Sequence, residues 1–393
     1  MEARTREFIG LSAAGLLSYF SYSLARSPIL PLYAQSLGAT PQLIGWVVAA
    51  STITGIAVKL PGGALSDHFG RLAMLIAGGC FFAFTPFFYI FATSVATLLI
   101  LRVIHGNATA IFGPSASAAI SDITEPSRRG IRLGMYSSMQ GVGQALGPLL
   151  GGALITWQGY SIPFTISGII GCSGLALVLF TFRERTQRIT GDAVARFVQG
   201  IREVASNRGI LITSFTVAAQ MFAVGAYNAF LPVYAKSILG FDAWQVGLIF
   251  GVQTTTTLLA RPLMGRFSDR VGRKGIIVGA VLWLTLLMSL LPALESFHAL
   301  LAFGCAWGIG LSVISSVAGA LITDLSRKAH YGAAHGVFGT IYDIGEASGP
   351  IVAGILVSSL GYAVMFRTMG VILCIALLIF SATKLPLTLT LES

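Results

Sequence analysis

Long apolar segments alternate with short polar breaks along almost the whole chain. Each segment is long enough to cross the roughly 30 Å hydrocarbon core of a bilayer as a helix. Every backbone polar group in lipid needs an internal partner, and the runs show no two-residue alternation, so helices are expected and a closed β-barrel is excluded. The pattern predicts twelve spans, at residues 8–36, 42–64, 72–92, 96–120, 133–156, 162–182, 209–235, 243–265, 275–292, 298–322, 334–358 and 363–383.

Composition places the chain among polytopic membrane proteins. Of its 393 residues, 55% are hydrophobic and 10% are charged, whereas soluble domains carry about 25% charged residues. The first apolar run is too long for the core of a cleaved signal peptide, and no small-residue cleavage site follows it. All four cysteines fall inside apolar runs, so we interpret them as buried hydrophobes and expect neither a disulfide framework nor a metal site.

The net charge of +10 reports membrane topology rather than nucleic-acid binding. Lysines and arginines concentrate at alternate breaks between the apolar runs, and Lys236 is the main exception. This distribution follows the positive-inside rule. It predicts a multi-pass protein of the cytoplasmic (inner) membrane with both termini in the cytoplasm.

One long polar stretch divides the spans six and six. We predict an N-terminal six-helix bundle at residues 1–182 and a C-terminal six-helix bundle at residues 209–393. Residues 183–208 between them are expected to form a cytoplasmic linker, with the short amphipathic piece at 195–204 lying on the membrane surface.

The two halves repeat each other at a nearly constant spacing. The polar hairpin Gly63-Ala-Leu-Ser-Asp67-His-Phe-Gly70-Arg71 recurs 202 positions later as Gly265-Arg-Phe-Ser-Asp269-Arg-Val-Gly272-Arg273. Further matches at this spacing, within one position, are Leu30-Pro31-x-Tyr33 with Leu231-Pro232-x-Tyr234, Asp122 with Asp324, and Gly143-x3-Gly147-Pro148 with Gly345-x3-Gly349-Pro350. Six helices per half give both halves the same orientation, so we predict parallel repeats related by an axis along the membrane normal.

These motifs resemble the signatures of the major facilitator superfamily over essentially the whole chain. The hairpin resembles the family's cytoplasmic loop signature, and Leu98-x3-Arg102-x2-His105-Gly106 resembles its second signature, with His105 where glutamine is commoner. Gly143-x3-Gly147-Pro148-x2-Gly151-Gly152 resembles the helix-five signature of exporters, especially drug–proton antiporters. The resemblance implies an all-α fold of twelve transmembrane helices in two six-helix bundles, and a function in proton-coupled export.

The loop signature has two interpretations, a conformational gate and a static surface ion pair. Its gating candidates, with those of its copy, are Gly63, Asp67, Gly70, Arg71, Asp269 and Arg273. Gly63 permits close helix approach and Gly70 a positive φ, while the Asp67 charge is favoured near a helix N-terminus, with Arg71 as its partner. A pair that breaks between two conformations would be a gate, whereas a permanent surface pair contributes about 1 kcal/mol or less.

Small residues spaced four apart in the fifth span form a face for close helix packing. The residues concerned are Gly143, Gly147, Pro148, Gly151 and Gly152, and Pro148 is expected to kink the helix. We expect this face to make a tight, dry contact between the two halves that limits leak.

Charged side chains inside the spans are the sharpest functional clues, because each costs roughly 2.5 kcal/mol or more at a helix centre. These residues are Arg26, Arg102, Asp343, Glu346 and Arg367. Asp343 and Glu346 are three apart and share a helix face. We expect one or both to carry the coupling proton, and the family signature implies a linked role for Arg102. The alternative is that the carboxylates form fixed ion pairs with Arg26 or Arg102.

Arg26 departs from the pattern of cation exporters, which often carry an acid in the first helix. An arginine near the midplane suits a carboxylate or phosphate of the substrate, and the alternatives are outward snorkelling or pairing with Glu346. Asn228 and Gln144 stand near the equivalents of Arg26 and Glu346 in the repeat. The softer substrate-site candidates are Tyr22, Asn107, Gln140, Gln144, Gln220, Tyr227, Asn228, Gln253 and Tyr342.

The sequence therefore predicts a proton-coupled secondary transporter, not an enzyme, that exports a small organic molecule by alternating access. No Gly-x4-Gly-Lys-Ser/Thr phosphate loop is present, which argues against ATP hydrolysis by this chain, and no cofactor is expected. Two alternatives are an uptake symporter for an organic anion anchored by Arg26 and a membrane sensor that transports nothing. The expected partners are the substrate, protons and bilayer lipid, with no nucleic acid and a monomer as the default.

Overall fold

The computed structural model describes residues 2–183, 201, 207–326 and 331–383, with the side chains of residues 2–3, 60–68 and 331–333 left out of the description. The predicted linker at 183–208 lies almost wholly outside these ranges. The helices are α1 (Glu2–Leu24), α2 (Ile29–Ser36), α3 (Pro41–Phe69), α4 (Arg71–Tyr89), α5 (Val95–Asp122), α6 (Arg129–Gln158), α7 (Ser161–Thr181), α8 (Arg208–Ser237), α9 (Ala243–Val271), α10 (Arg273–Leu290), α11 (Phe297–Val313), α12 (Gly319–Asp324) and α13 (Tyr331–Ala382).

The short polar breaks supply the residues that end and start these helices. Ser94 caps α5 by accepting a hydrogen bond from the Thr97 backbone N–H at 3.2 Å, because the first turn of a helix leaves its N–H groups unpaired. Gly70 and Gly272 join the helices of the two hairpins with φ of 95° and 99°. These values lie in the region that favours glycine, as the hairpin motif predicts.

The described residues contain nine helices that are long and apolar enough to cross a membrane. Helices α6 and α9 are of similar length but carry many polar residues, and both line the interface between the halves. Helix α13 is 52 residues long and bends at Gly361, where φ is 81° and ψ is 172°. Adding α6, α9 and the second arm of α13 to those nine gives twelve crossings, which confirms the all-α, twelve-helix architecture.

The buried apolar clusters show how the halves meet. We call the end of the bundle that carries Arg71, Arg128 and Arg273 the basic face, and the end with the loops at 37–40 and 238–242 the opposite face. One large cluster draws residues from both halves and lies towards the opposite face. Towards the basic face, each half has a separate cluster of its own. The halves are therefore packed together at the opposite face and have independent cores at the basic face.

Two helix pairs form most of the contact between the halves. The first seam is α3 against α13, and the second seam is α6 against α9. In the first seam, a Cβ built at Gly354 would lie 2.5 Å from the Pro41 carbonyl oxygen. In the second seam, a Cβ at Gly152 would lie 2.5 Å from the Ala243 carbonyl oxygen. Glycine at these positions lets the backbones approach closely.

The helix-five motif divides between two neighbours, so the expectation of a single contact between halves is only partly correct. A Cβ at Gly143 or Gly147 would overlap the backbone of α1, in the same half, and one at Gly151 would lie 3.1 Å from Ile29 Cδ1. Pro148 and Gly152 instead contact Gly247 of the other half. The reason is helix geometry, because residues at i, i+4 and i+8 share a face that is rotated away from the face of Pro148 and Gly152.

Candidate functional site

A cavity of about 420 Å³ lies between the halves. Its volume falls in the range typical of small-molecule sites. Polar and charged side chains from both halves line it: Tyr19, Tyr22, Ser23, Arg26, Ser27, Ser51, Thr52, Lys59, Thr109, Gln144, Asn228, Gln253, Thr254, Tyr342, Asp343 and Glu346. The cavity therefore combines charges from the spans with hydrogen-bonding groups and aromatic rings.

An ion pair joins Arg26, in the turn between α1 and α2, to Glu346 of α13. Arg26 Nη2 lies 2.5 Å from Glu346 Oε1, and the side chains are 25% and 17% exposed. The Arg26 guanidinium carbon also lies 5.8 Å from the centre of the Tyr22 ring. Of the interpretations open for Arg26, the structure shows the pairing with Glu346 in this conformation, so Arg26 is not a free anchor for an anionic substrate here.

A second ion pair between the halves joins Lys59 of α3 to Asp343 of α13. The Asp343 side chain is 8% exposed, whereas that of Lys59 is 44% exposed. Lys59 is not among the sequence-predicted site residues, although a lysine ten residues before the end of a membrane helix is a signal of the same kind as Arg26. Both carboxylates of the pair Asp343 and Glu346 are thus matched by cations of the other half.

Arg102 of α5 is fully buried behind the cavity wall rather than in the cavity. Its Nε donates to the Val47 carbonyl oxygen at 3.2 Å, and Nη2 donates to Ser51 Oγ. Tyr22 also donates to Ser51 Oγ, at 3.2 Å, and its ring centre lies 5.9 Å from the Arg102 guanidinium carbon. Arg102 Nη1 is buried without a hydrogen bond. Arg102 therefore places a positive charge directly behind two groups that line the cavity.

His105, one turn after Arg102, is buried and paired. The Tyr89 hydroxyl lies 2.9 Å from His105 Nδ1, and the Tyr22 and His105 rings are 4.9 Å apart between centres. Within the part of the chain that the structure describes, no three His, Cys, Asp or Glu side chains cluster as metal ligands would.

The structure brings most of the substrate-site candidates together. Those that line the cavity are Tyr22, Arg26, Gln144, Asn228, Gln253 and Tyr342. Asn107 does not, because its amide donates to the Val103 and Ile104 carbonyl oxygens of its own helix. Gln140 is half-buried outside the cavity lining.

Two further candidates lie in the core of the C-terminal half and are incorrect as cavity residues. Gln220 is 1% exposed and Tyr227 is fully buried. The Tyr227 ring stacks on Trp307, with ring centres 5.3 Å apart. Tyr227 and Asn228 are adjacent in α8, so they point in directions about 100° apart, and only Asn228 faces the cavity.

The loop arginines pair within their own halves. Arg71 Nε lies 3.0 Å from Asp122 Oδ2 at the end of α5. In the second hairpin, Arg273 Nε lies 2.6 Å from Asp324 Oδ2. Arg273 Nη2 also lies 3.9 Å from Oδ1 of Asp269, four residues earlier in the chain. The side chains of Gly63 and Asp67 lie outside the described residues. The described pairs tie each hairpin to the next helix of the same half, and the gate interpretation stays a prediction.

The fold and the cavity define a secondary transporter built from two parallel repeats. The model of the Major Facilitator Superfamily matches residues 11–253 and 213–389, and the chain belongs to this superfamily. It is therefore a multi-pass membrane transporter and not an enzyme, which confirms the resemblance of its motifs.

Several proteins resemble the chain over most of its length. It is 28% identical to an uncharacterized MFS-type transporter of Methanocaldococcus jannaschii, over 87% of this chain and 89% of that protein. It is 27% identical to the multidrug resistance protein MdtG of Citrobacter koseri, over 88% and 87%. A solved bacterial homolog of the human lysosomal transporter Spinster, inward-facing and unoccupied, superposes with a TM-score of 0.79 at 15% identity over 96% of both chains.

Proposed function

We propose that the chain is a proton-coupled exporter that moves a small organic molecule across the cytoplasmic membrane by alternating access. The observation that carries this proposal is the placement of Asp343 and Glu346 in a cavity between the halves, each paired with a cation of the other half. Ionisable residues inside membrane helices commonly form proton pathways in transporters. The similarity to MdtG proteins, named for multidrug resistance, favours export.

The ion pairs give the proton a way to act on the contact between the halves. Protonation of Glu346 removes its negative charge and leaves the Arg26 guanidinium without its partner in a partly dry cavity. Loss of one partner of a buried ion pair costs about 3–5 kcal/mol. A free-energy change of this size shifts a two-state equilibrium by roughly two to four orders of magnitude. The proton therefore biases the conformations that alternating access requires.

The described conformation is closed at one face. Gln35 Nε2 donates to Ser237 Oγ at 2.8 Å, and the Trp244 backbone N–H donates to Thr156 Oγ1 at 3.0 Å, both between halves near the opposite face. Among the described residues, the other side-chain hydrogen bonds between halves are a second one between Gln35 and Ser237 and those of the two cavity ion pairs. If the basic face is cytoplasmic, as the positive-inside rule indicates, this conformation admits substrate from the cytoplasm.

Proton movement in proteoliposomes tests the coupling. The full chain is reconstituted with the pH-sensitive dye pyranine inside, and anionic, neutral and cationic aromatic compounds are added in turn. We expect Glu346→Gln and Asp343→Asn each to reduce substrate-dependent proton movement about tenfold or more, which corresponds to about 1.4 kcal/mol or more. Glu295→Gln is the matched control, because Glu295 is an exposed carboxylate near the opposite face.

If both cavity variants leave pH-driven transport intact, the assignment of the coupling carboxylates is wrong. The direction of transport is tested separately in cells. Cells that lack the gene accumulate the substrate if the chain exports it, and they take up less if the chain is instead an uptake symporter.

A further inference from the structure

Arg261 of α9 occupies the position that corresponds to Lys59 of α3. The repeat spacing of 202 takes residue 59 to residue 261, and it takes Asp343 back to residue 141, which is Gly141. In the first seam, Lys59 pairs with Asp343. The second seam therefore keeps the cation of this pair and has a glycine where its carboxylate would be.

Gly141 faces the helix that carries Arg261. A Cβ built at Gly141 would lie 2.8 Å from Leu258 Cδ1 of α9. Leu258 is three positions before Arg261, so the two side chains share a face of the helix. Gly141 is itself buried. The second seam thus repeats the geometry of the first, with a hydrogen atom in place of the Asp343 side chain.

Arg261 makes one described side-chain hydrogen bond, through Nε, and its terminal nitrogens are available to a ligand. Its Nε donates to Ser315 Oγ at 3.0 Å, and Ser315 lies in a π-helical turn, Ile314–Ala318. π-Helical turns are rare in proteins, and those that occur are often found at functional sites. Within the described residues, no carboxylate lies within ion-pair distance of Arg261, and its terminal nitrogens donate to no described atom.

The groups around Arg261 connect it to the cavity. Gly141, which faces the helix of Arg261, is three positions before Gln144, and Gln144 lines the cavity. At the repeat spacing, the counterparts of Arg26 and Glu346 are Asn228 of α8 and Gln144 of α6, which also line the cavity and are neutral. One side of the cavity therefore has balanced charges, and the other has neutral amides with one unbalanced cation in the adjoining second seam.

The described charges in the cavity, directly behind it and in the second seam sum to an excess of two positive charges. The cations are Arg26 and Lys59 in the lining, Arg102 behind the lining and Arg261 in the second seam. The carboxylates are Asp343 and Glu346, which gives four positive charges against two negative charges. In a site of low dielectric, such an excess attracts an anion and repels a cation.

We propose that the second seam binds the anionic group of the transported molecule, with Arg261 receiving a carboxylate or sulfonate where the repeat lacks a counterpart of Asp343. This assignment rests on the proposed function and names its substrate class as aromatic organic anions. The guanidinium fork suits planar carboxylates. Gln144 and Asn228 supply neutral hydrogen bonds beside it, and Tyr22 and Phe250 supply ring surfaces for the apolar body.

Binding of a matched pair of probes tests the charge requirement. The purified full-length chain is placed in nanodiscs at fixed pH without a proton gradient, and equilibrium binding of 2-naphthoate is compared with that of its neutral isostere 2-naphthamide. We expect 2-naphthoate to bind about tenfold more tightly, because a hydrogen bond between two charged groups is stronger than one to a neutral group. Arg261→Gln is expected to abolish this preference by weakening 2-naphthoate binding about tenfold.

Adding a carboxylate at Gly141 tests whether this position faces Arg261, and the melting temperature gives a measurement that needs no bound probe. Gly141→Asp supplies the missing carboxylate, and Gly141→Asn is its neutral control of the same shape; Leu258 Cδ1 must move aside equally for both. We expect Gly141→Asp to block 2-naphthoate binding and to melt at a higher temperature than Gly141→Asn. Both differences should disappear when Arg261→Gln is added.

Equal binding of the two probes, or no binding of either, overturns the proposal, as does equal behaviour of the Gly141→Asp and Gly141→Asn variants. These measurements use no gradient. A chain that binds 2-naphthoate through Arg261 but moves no protons would contradict the proposed coupled export and leave the anion site standing. Proton-coupled movement of cations alone would contradict the anion site and leave the proposed coupled export standing.

Discussion

Glu346 accepts a hydrogen bond from Arg26 at 2.5 Å although 320 positions of the chain separate the two residues. The contact crosses from the C-terminal half to the N-terminal half in the middle of the bundle. Because both side chains are largely buried, each charge depends on the other for much of its compensation. Neutralising either residue of the pair should therefore weaken the contact between the halves.

Removing one charge of this pair should destabilise the chain more than removing both. We expect Glu346→Gln to lower the melting temperature, with a cost of up to about 3–5 kcal/mol, because Arg26 is left unpaired. Adding Arg26→Gln should restore most of the loss, since two neutral amides need no counter-charge. The measurement is thermal unfolding in detergent; a double variant that melts below both single variants would contradict the pairing.

Ser51 should matter to stability despite its small size. Its hydroxyl accepts hydrogen bonds from Arg102 and Tyr22 in the buried wall of the cavity. Ser51→Ala leaves both donors without this acceptor, at an expected cost of about 1–3 kcal/mol for each unsatisfied group. Thermal unfolding measures the loss. Ser23→Ala is a suitable control, because Ser23 also lines the cavity but donates only to the backbone of Gln144 among its described contacts.

Adjacent glycines of α6 should differ in their response to one added methyl group. Gly152→Ala places a Cβ 2.5 Å from the Ala243 carbonyl oxygen of the other half. Gly151→Ala instead places a Cβ 3.1 Å from the flexible end of Ile29 and 3.4 Å from the Leu24 carbonyl oxygen, both in its own half. We expect Gly152→Ala to open the contact at the opposite face and Gly151→Ala to leave it closed. Spin labels at residues 35 and 237 would report the distance, and equal distances in both variants would contradict the packing described.

The ion pairs of the loop hairpins should contribute little to transport. Arg273 and Asp324 belong to the same half, and the Asp324 side chain is 49% exposed. Asp324→Asn should therefore cost about 1 kcal/mol or less and leave the transport rate within about twofold of the unmodified chain. Initial transport rates in proteoliposomes give the test. A large loss of transport with an unchanged melting temperature would indicate a gate instead.

The sequence predicted the fold well because its signals are local or periodic. Apolar length gave the spans, and the spacing of 202 gave the repeat and identified Asn228 and Gln144 as the neutral counterparts of Arg26 and Glu346. The choice between partners for Arg26 depended on the packing of helices distant in the chain, which periodicity does not encode. The direction of each side chain was equally hidden, so Tyr227 and Asn228 were indistinguishable until α8 was placed.

Lys59 shows what closer use of the repeat would have found. A lysine in α3 and an arginine in α9 at the repeat spacing are two charges in equivalent membrane helices. Their equivalence was available from the sequence alone. The repeat spacing also relates Asp343 to Gly141 in the sequence. Only the packing of α3 against α13 and of α6 against α9 shows that these two positions face the two cations.

The two ion pairs also constitute a code for recognition between the halves. The N-terminal half presents two cations, Arg26 and Lys59, and the C-terminal half presents two anions, Asp343 and Glu346. Two copies of either half would bring like charges together, whereas one copy of each neutralises all four. Repulsion between like charges disfavours wrong partners, and attraction between opposite charges fixes the register of the correct ones. The halves of this duplicated chain are therefore no longer interchangeable, and separately synthesised halves would assemble as one of each.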